Sequence, residues 1–205
     1  FFFGVMSATS APERTLLVVI VDVNSHNWGQ VPHKVTFDNM LQHLMFCLNA
    51  HLQLNAANTL ALIASDHNRS EIVFPCDSFM PNNDHVLYFD DVKDAVLQQL
   101  HAFVESSSLA GSTRKMGRST LSSALSHALC YINRIVAASP DTACRVVAIT
   151  VSPDTSSQYI SIMNNIFSAC KLQVAIDGCV LGACHSSFLQ QAAELTGGAY
   201  SKPTS

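Results

Sequence analysis

Two periods of apolar spacing alternate along this chain. The run Leu16-Leu17-Val18-Val19-Ile20-Val21 is wholly apolar and stops at Asp22, then Val23-Asn24-Ser25-His26. That is the pattern of a strand buried on both faces, whose last residue reaches the carboxyl edge of a parallel sheet. A loop with Trp28, Gly29 and Pro32 follows. Phe37, Leu41, Leu44, Met45, Leu48 and Leu52 then recur at steps of three and four, predicting one helical stripe. After Asn58 the run Thr59 to Ala64 predicts a second strand. Asp66-His67-Asn68-Arg69-Ser70 predicts a hairpin turn into Ile72-Val73-Phe74, closed by Pro75.

Residues 76–89 read as an irregular loop. A helix is expected from Asp90-Asp91, acids suited to a helix start, with Val92, Val96, Leu100, Phe103 and Val104 inward. The polar stretch from Ser106 to Gly117 leads to the strongest helical pattern: Leu121, Leu125, Ala128, Leu129, Ile132, Ile135 and Val136, stopped before Pro140. A strand at Arg145 to Val151 precedes a helix carrying Tyr159, Ile160, Met163, Ile166, Phe167 and Cys170. A strand at Val174 to Leu181 precedes another with Phe188, Leu189, Ala192 and Leu195. Gly197-Gly198 supplies a stop able to take positive φ, and a short strand is expected near Ala199-Tyr200. Strands alternating with helices, with one hairpin, predict an α/β fold. The sheet is doubly wound, mainly parallel and six-stranded, with one antiparallel edge strand and helices on both faces. Residues 15–202 form the expected domain, after an arm at 1–14 and before the start of a linker at 203–205. The first residue is not Met, and the chain is expected to be a fragment.

Composition narrows the function classes. At 205 residues the chain suits one domain with a substantial core. The net charge is -4, and the eleven basic residues are scattered, so direct nucleic-acid binding is not expected. No apolar run has the length of a membrane span, and Phe1-Phe2-Phe3-Gly4-Val5-Met6 lacks the basic leader of a signal peptide. Seven cysteines, an odd number without Cys-x-x-Cys spacing, indicate free thiols in a reducing compartment. Cys47, Cys130, Cys170 and Cys179 fall on expected core faces. Cys179, Cys184 and His185 come nearest to a zinc set, but a closed site needs four ligands and Cys179 falls in a buried strand.

The candidate chemistry centres on Asp22. A metal-binding turn here would read Asp-x-Ser-x-Ser, three oxygen ligands for one hard cation. Asn24 and His26 occupy the second and third places, so the scaffold of a cation site is present and its ligands are degraded. An aspartyl-phosphate role is opposed by Asn24, which cannot share metal and proton work with Asp22. The segment Gly111 to Ser119 has five residues between its glycines and Arg118 in place of lysine, so it misses the phosphate-loop pattern. No Gly-x-Ser-x-Gly elbow occurs. His43, His51, His101 and His127 fall within helices, beside no nucleophile. Trp28 either plugs the top of the sheet or anchors a partner; both readings stay open. No small-molecule substrate is indicated, and no catalytic site is assembled.

The arrangement resembles a von Willebrand factor type A domain. Gly117-Arg118-Ser119-Thr120-Leu121-Ser122-Ser123-Ala124-Leu125 is similar to that family's Gly-Gly-Thr-x-Leu-x-x-Ala-Leu segment, with Ser119 at the Thr place. The resemblance places the third ligand position at Ser152, with Asp154 two residues late. Asp22, Asn24, His26, Ser119 and Ser152 are thus its degenerate cation positions. Leu16 to Asn24 with Trp28-Gly29, Asn58 to Ser65, Gln158 to Asn164, Val174 to Leu181 and Phe188 to Tyr200 resemble, in order, the A domain of the family of thirty-four-kilodalton TFIIH subunits. That resemblance implies a nuclear, non-enzymatic scaffold of the TFIIH core, serving RNA polymerase II transcription initiation and nucleotide excision repair. Its implied chief partner is the forty-four-kilodalton subunit. No cofactor is implied within this chain; zinc is implied only in a C-terminal module that it lacks. The alternative is a metal-dependent ligand-binding A domain outside TFIIH, with magnesium held by Asp22, Ser119 and Asp154.

Overall fold

The first apolar run forms the strand β1 (Arg14–Asp22), and everything else is arranged around it. The computed structural model describes residues 14–31, 35–75, 89–109 and 120–203. The expected arm up to residue 13, the loop at 76–88, Gly111 to Ser119 and residues 204–205 lie outside these. After β1 come a single helical turn α1 (Ser25–Trp28), α2 (Phe37–Leu54), β2 (Thr59–Ser65) and β3 (Ser70–Phe74). The helices α3 (Phe89–Leu109) and α4 (Leu121–Ala138) precede β4 (Thr142–Thr150), α5 (Tyr159–Lys171), β5 (Ala175–Val180), α6 (Ser187–Thr196) and β6 (Tyr200–Ser201). The sheet order is β3-β2-β1-β4-β5-β6. Among the described strands only the β2–β3 pair is antiparallel, joined by the turn in which the Asp66 amide donates to the Arg69 carbonyl at 2.8 Å.

Period-two alternation in β1 divides the core. Leu16, Val18 and Ile20 face α4, α5 and α6, with Leu125, Ile132, Ile166 and Leu189 as the large buried partners. Val19 and Val21 face α2 and α3, packing with Leu44, Leu48, Val96 and Phe103. A strand apolar at every position is thus the consequence of lying between two helical layers. The second layer has two long helices and stops short of β4 and β5. Beside α2 it leaves an apolar cleft of about 690 Å³, floored by Leu17, Val19, Val147, Ile149, Cys179 and Leu181.

Several expectations need correction. β4 begins three residues earlier than expected, at Thr142, because Arg14 to Val21 pair with it along their whole length. Met40, absent from the expected stripe of α2, is buried there. On α5 the buried residues are Ile162, Ile166 and Ala169, whereas Tyr159, Ile160 and Phe167 are exposed. Leu195 of α6 is exposed as well. Cys47 and Cys130 are exposed and Cys170 and Cys179 half-buried, so none of these four thiols lies in the core. At the end of α6, Gly197 takes φ +71° as expected of a left-handed cap.

The helix α4 turns Leu125, Leu129 and Ile132 inward and leaves Ser123, His127 and Arg134 exposed. Leu129→Ala should therefore cost about 2–5 kcal/mol through the cavity it leaves. Arg134→Glu, which removes only a guanidinium over the Tyr131 ring, should cost less than about 1 kcal/mol. Urea unfolding of both variants checks this; the reverse order would mean that the helix is rotated.

Candidate functional site

β1 and β4 are neighbours, and the chain leaves β1 toward β2 on one side but leaves β4 toward β5 on the other. Such a switch opens a crevice at the carboxyl edge, the usual ligand position of open α/β sheets. Asp22 stands at that crevice, in register with Ser65 of β2, and is almost fully buried. Its Oδ2 accepts the backbone amides of Val151 at 3.2 Å and Ser152 at 2.9 Å, and its Oδ1 accepts the amide of Asn24 at 3.0 Å. Burial pushes the carboxyl above its ordinary value, against the opposing pull of the Ser152 side chain and these amides. The carboxylate therefore ties the end of β1 to the chain leaving β4.

The following residues close the same edge. Asn24 caps α1, its Oδ1 accepting the amides of His26 at 3.1 Å and Asn27 at 3.4 Å. This turn was expected as loop; four residues are too few to show helical periodicity. Asn27, which the sequence reading did not single out, reaches across the crevice and donates from Nδ2 to Ser152 Oγ at 2.6 Å. Trp28 is half-buried: its Nε1 donates to the Asp22 carbonyl at 2.7 Å, and its ring meets Phe37 edge-on at 5.2 Å. These contacts seat Trp28 over the end of β1, with the ring half-exposed. Gly182 completes the closure, since a β-carbon there would collide with the Val151 carbonyl.

These residues do not fit a divalent cation. Both oxygens of Asp22 are engaged by amides, and the Oδ1 of Asn24 is turned to its own helix. The one buried side-chain atom without a partner in this turn, Asn24 Nδ2, is a donor, opposite in polarity to a metal ligand. His26 is exposed and lies 3.0 Å from Gln30 Nε2 through its own Nε2. Asp154 is drawn to α6, accepting from Ser186 Oγ at 2.6 Å and the Phe188 amide at 3.1 Å. Ser119 lies outside the described residues. Its neighbour Thr120 is 2.8 Å from Ser65 Oγ and donates to the Asp66 carbonyl at 2.7 Å. Among the described residues no three His, Cys, Asp or Glu side chains converge on a metal position, and the ring of His185 meets Tyr200 Oη instead. What the arrangement accomplishes is mechanical: it locks the top of the sheet.

The architecture is that of a von Willebrand A-type domain. It superposes on a von Willebrand factor type A protein from Catenulispora acidiphila with a TM-score of 0.65 at 16% identity, over 96% of this chain and 40% of that one. The transcription factor Tfb4 family model matches residues 14–205, and the chain belongs to that family. It is 36% identical to general transcription factor IIH subunit 3 of Dictyostelium discoideum, over 82% of this chain and 49% of that protein. With the general transcription and DNA repair factor IIH subunit TFB4 of Arabidopsis thaliana it shares 33% identity, over 98% of this chain and 68% of the relative. The chain thus spans about half to two thirds of these relatives. The TFIIH p34 N-terminal domain superposes with a TM-score of 0.78 at 26% identity, over 92% of this chain and 90% of that one.

Asp22→Asn places an amide donor against the Val151 or Ser152 amides and should cost about 1–3 kcal/mol at about pH 4. A carboxyl whose folded value is raised stabilises fully below its unfolded value, and that contribution is lost as pH rises through the folded value. The stability gap between wild type and variant should therefore narrow from about pH 4 to about pH 7, other groups cancelling in the comparison. Urea unfolding at both pH values decides; a gap that widens means that the amide donors outweigh burial.

Proposed function

We propose that this chain is the von Willebrand A domain of a non-enzymatic subunit of the TFIIH core. It serves RNA polymerase II transcription initiation and nucleotide excision repair in the nucleus. The reading is carried by the family match over residues 14–205, with relatives named as factor IIH subunits. The site supports it from the other side. A buried carboxylate engaged on both oxygens by three backbone amides, with the Ser152 side chain beside it, turns no oxygen toward a cation or a substrate, so the sheet top serves to hold the domain rigid. Binding then falls to the outer helix faces and loops, with the forty-four-kilodalton subunit as chief partner and no direct contact to nucleic acid. Zinc belongs to a module outside these residues.

The alternative, magnesium-dependent ligand binding, requires displacing those amides. Under the proposed reading the melting temperature is unchanged by magnesium. A rise that grows with concentration and disappears in Asp22→Ala would establish the alternative, because a ligand of the native state must stabilise it. The function itself is tested by affinity purification of the full-length protein from nuclear extract. TFIIH core subunits, the forty-four-kilodalton subunit among them, should co-purify in comparable amounts; their absence would refute the assignment.

A further inference from the structure

We draw no further inference here: the strongest candidate, the apolar cleft of about 690 Å³ between α2 and the β1–β4–β5 face of the sheet, carries nothing because nothing in the structure shows what covers it.

Discussion

One carboxylate closes the carboxyl edge of this sheet where its longest strand pair, β1 and β4, ends. Where β1 hands the chain to β2 on one side and pairs with β4 on the other, no covalent connection crosses the carboxyl edge between β1 and β4. Asp22 supplies the crossing with hydrogen bonds to Val151 and Ser152. Asn27 to Ser152, and the indole of Trp28 on the Asp22 carbonyl, repeat it at the next layer. Burying the acid carries a desolvation cost, visible in its raised titration, and the amides offset part of it. The geometry is that of an internal clamp, in which backbone donors surround the carboxyl group.

From that clamp the two layers follow. Because β1 is fixed at its end, its alternating side chains are delivered in register to α4, α5 and α6 on one side and to α2 and α3 on the other. Farther out, the Arg145 guanidinium pairs with Asp177, whose Oδ1 also accepts the Ala199 amide at 2.7 Å. Burial pushes Asp177 upward, but the hydrogen bonds from Arg145 and Ala199 and the guanidinium charge hold it below its ordinary value. The edge strand β6, two residues long, is thereby tied back to β5 and β4.

Most of this was legible in the sequence where one physical signal dominated. The fully apolar β1, the hairpin around Asp66 to Ser70 and the stripe of α4 each follow from burial alone, and the mainly parallel sheet from the alternation of elements. Signals that depend on a neighbour were not legible. The apolar arc of α5 is wider than the part that meets the sheet, and its periodicity cannot say which part that is, so Ile160 and Phe167 were placed inward and Ile162 was overlooked. Cys47 and Cys130 lie beside stripe residues in sequence but around the helix from them in space. At the site, the residue types at 22, 24 and 26 raised the expectation of a degraded cation position, because ligand chemistry is written in side chains. The clamp that replaces it uses the backbone of Val151 and Ser152, and backbone donors leave no mark in a sequence.

Locking the sheet top changes what the fold can communicate. In a domain whose top edge is completed by a bound ion, the loops of that edge have two arrangements, and ligand binding can choose between them. Here Asp22, Asn24, Asn27 and Ser152 satisfy one another within the chain, and Thr120 is tied to the loop after β2 in the same way. Because these groups satisfy one another, no ion is needed at that edge to choose between loop arrangements. A domain built so presents fixed surfaces, and fixed surfaces bind without a conformational cost at each encounter. In this chain the fixed edge comes from side chains and backbone amides that satisfy one another, so the fold holds its sheet top closed with groups of its own.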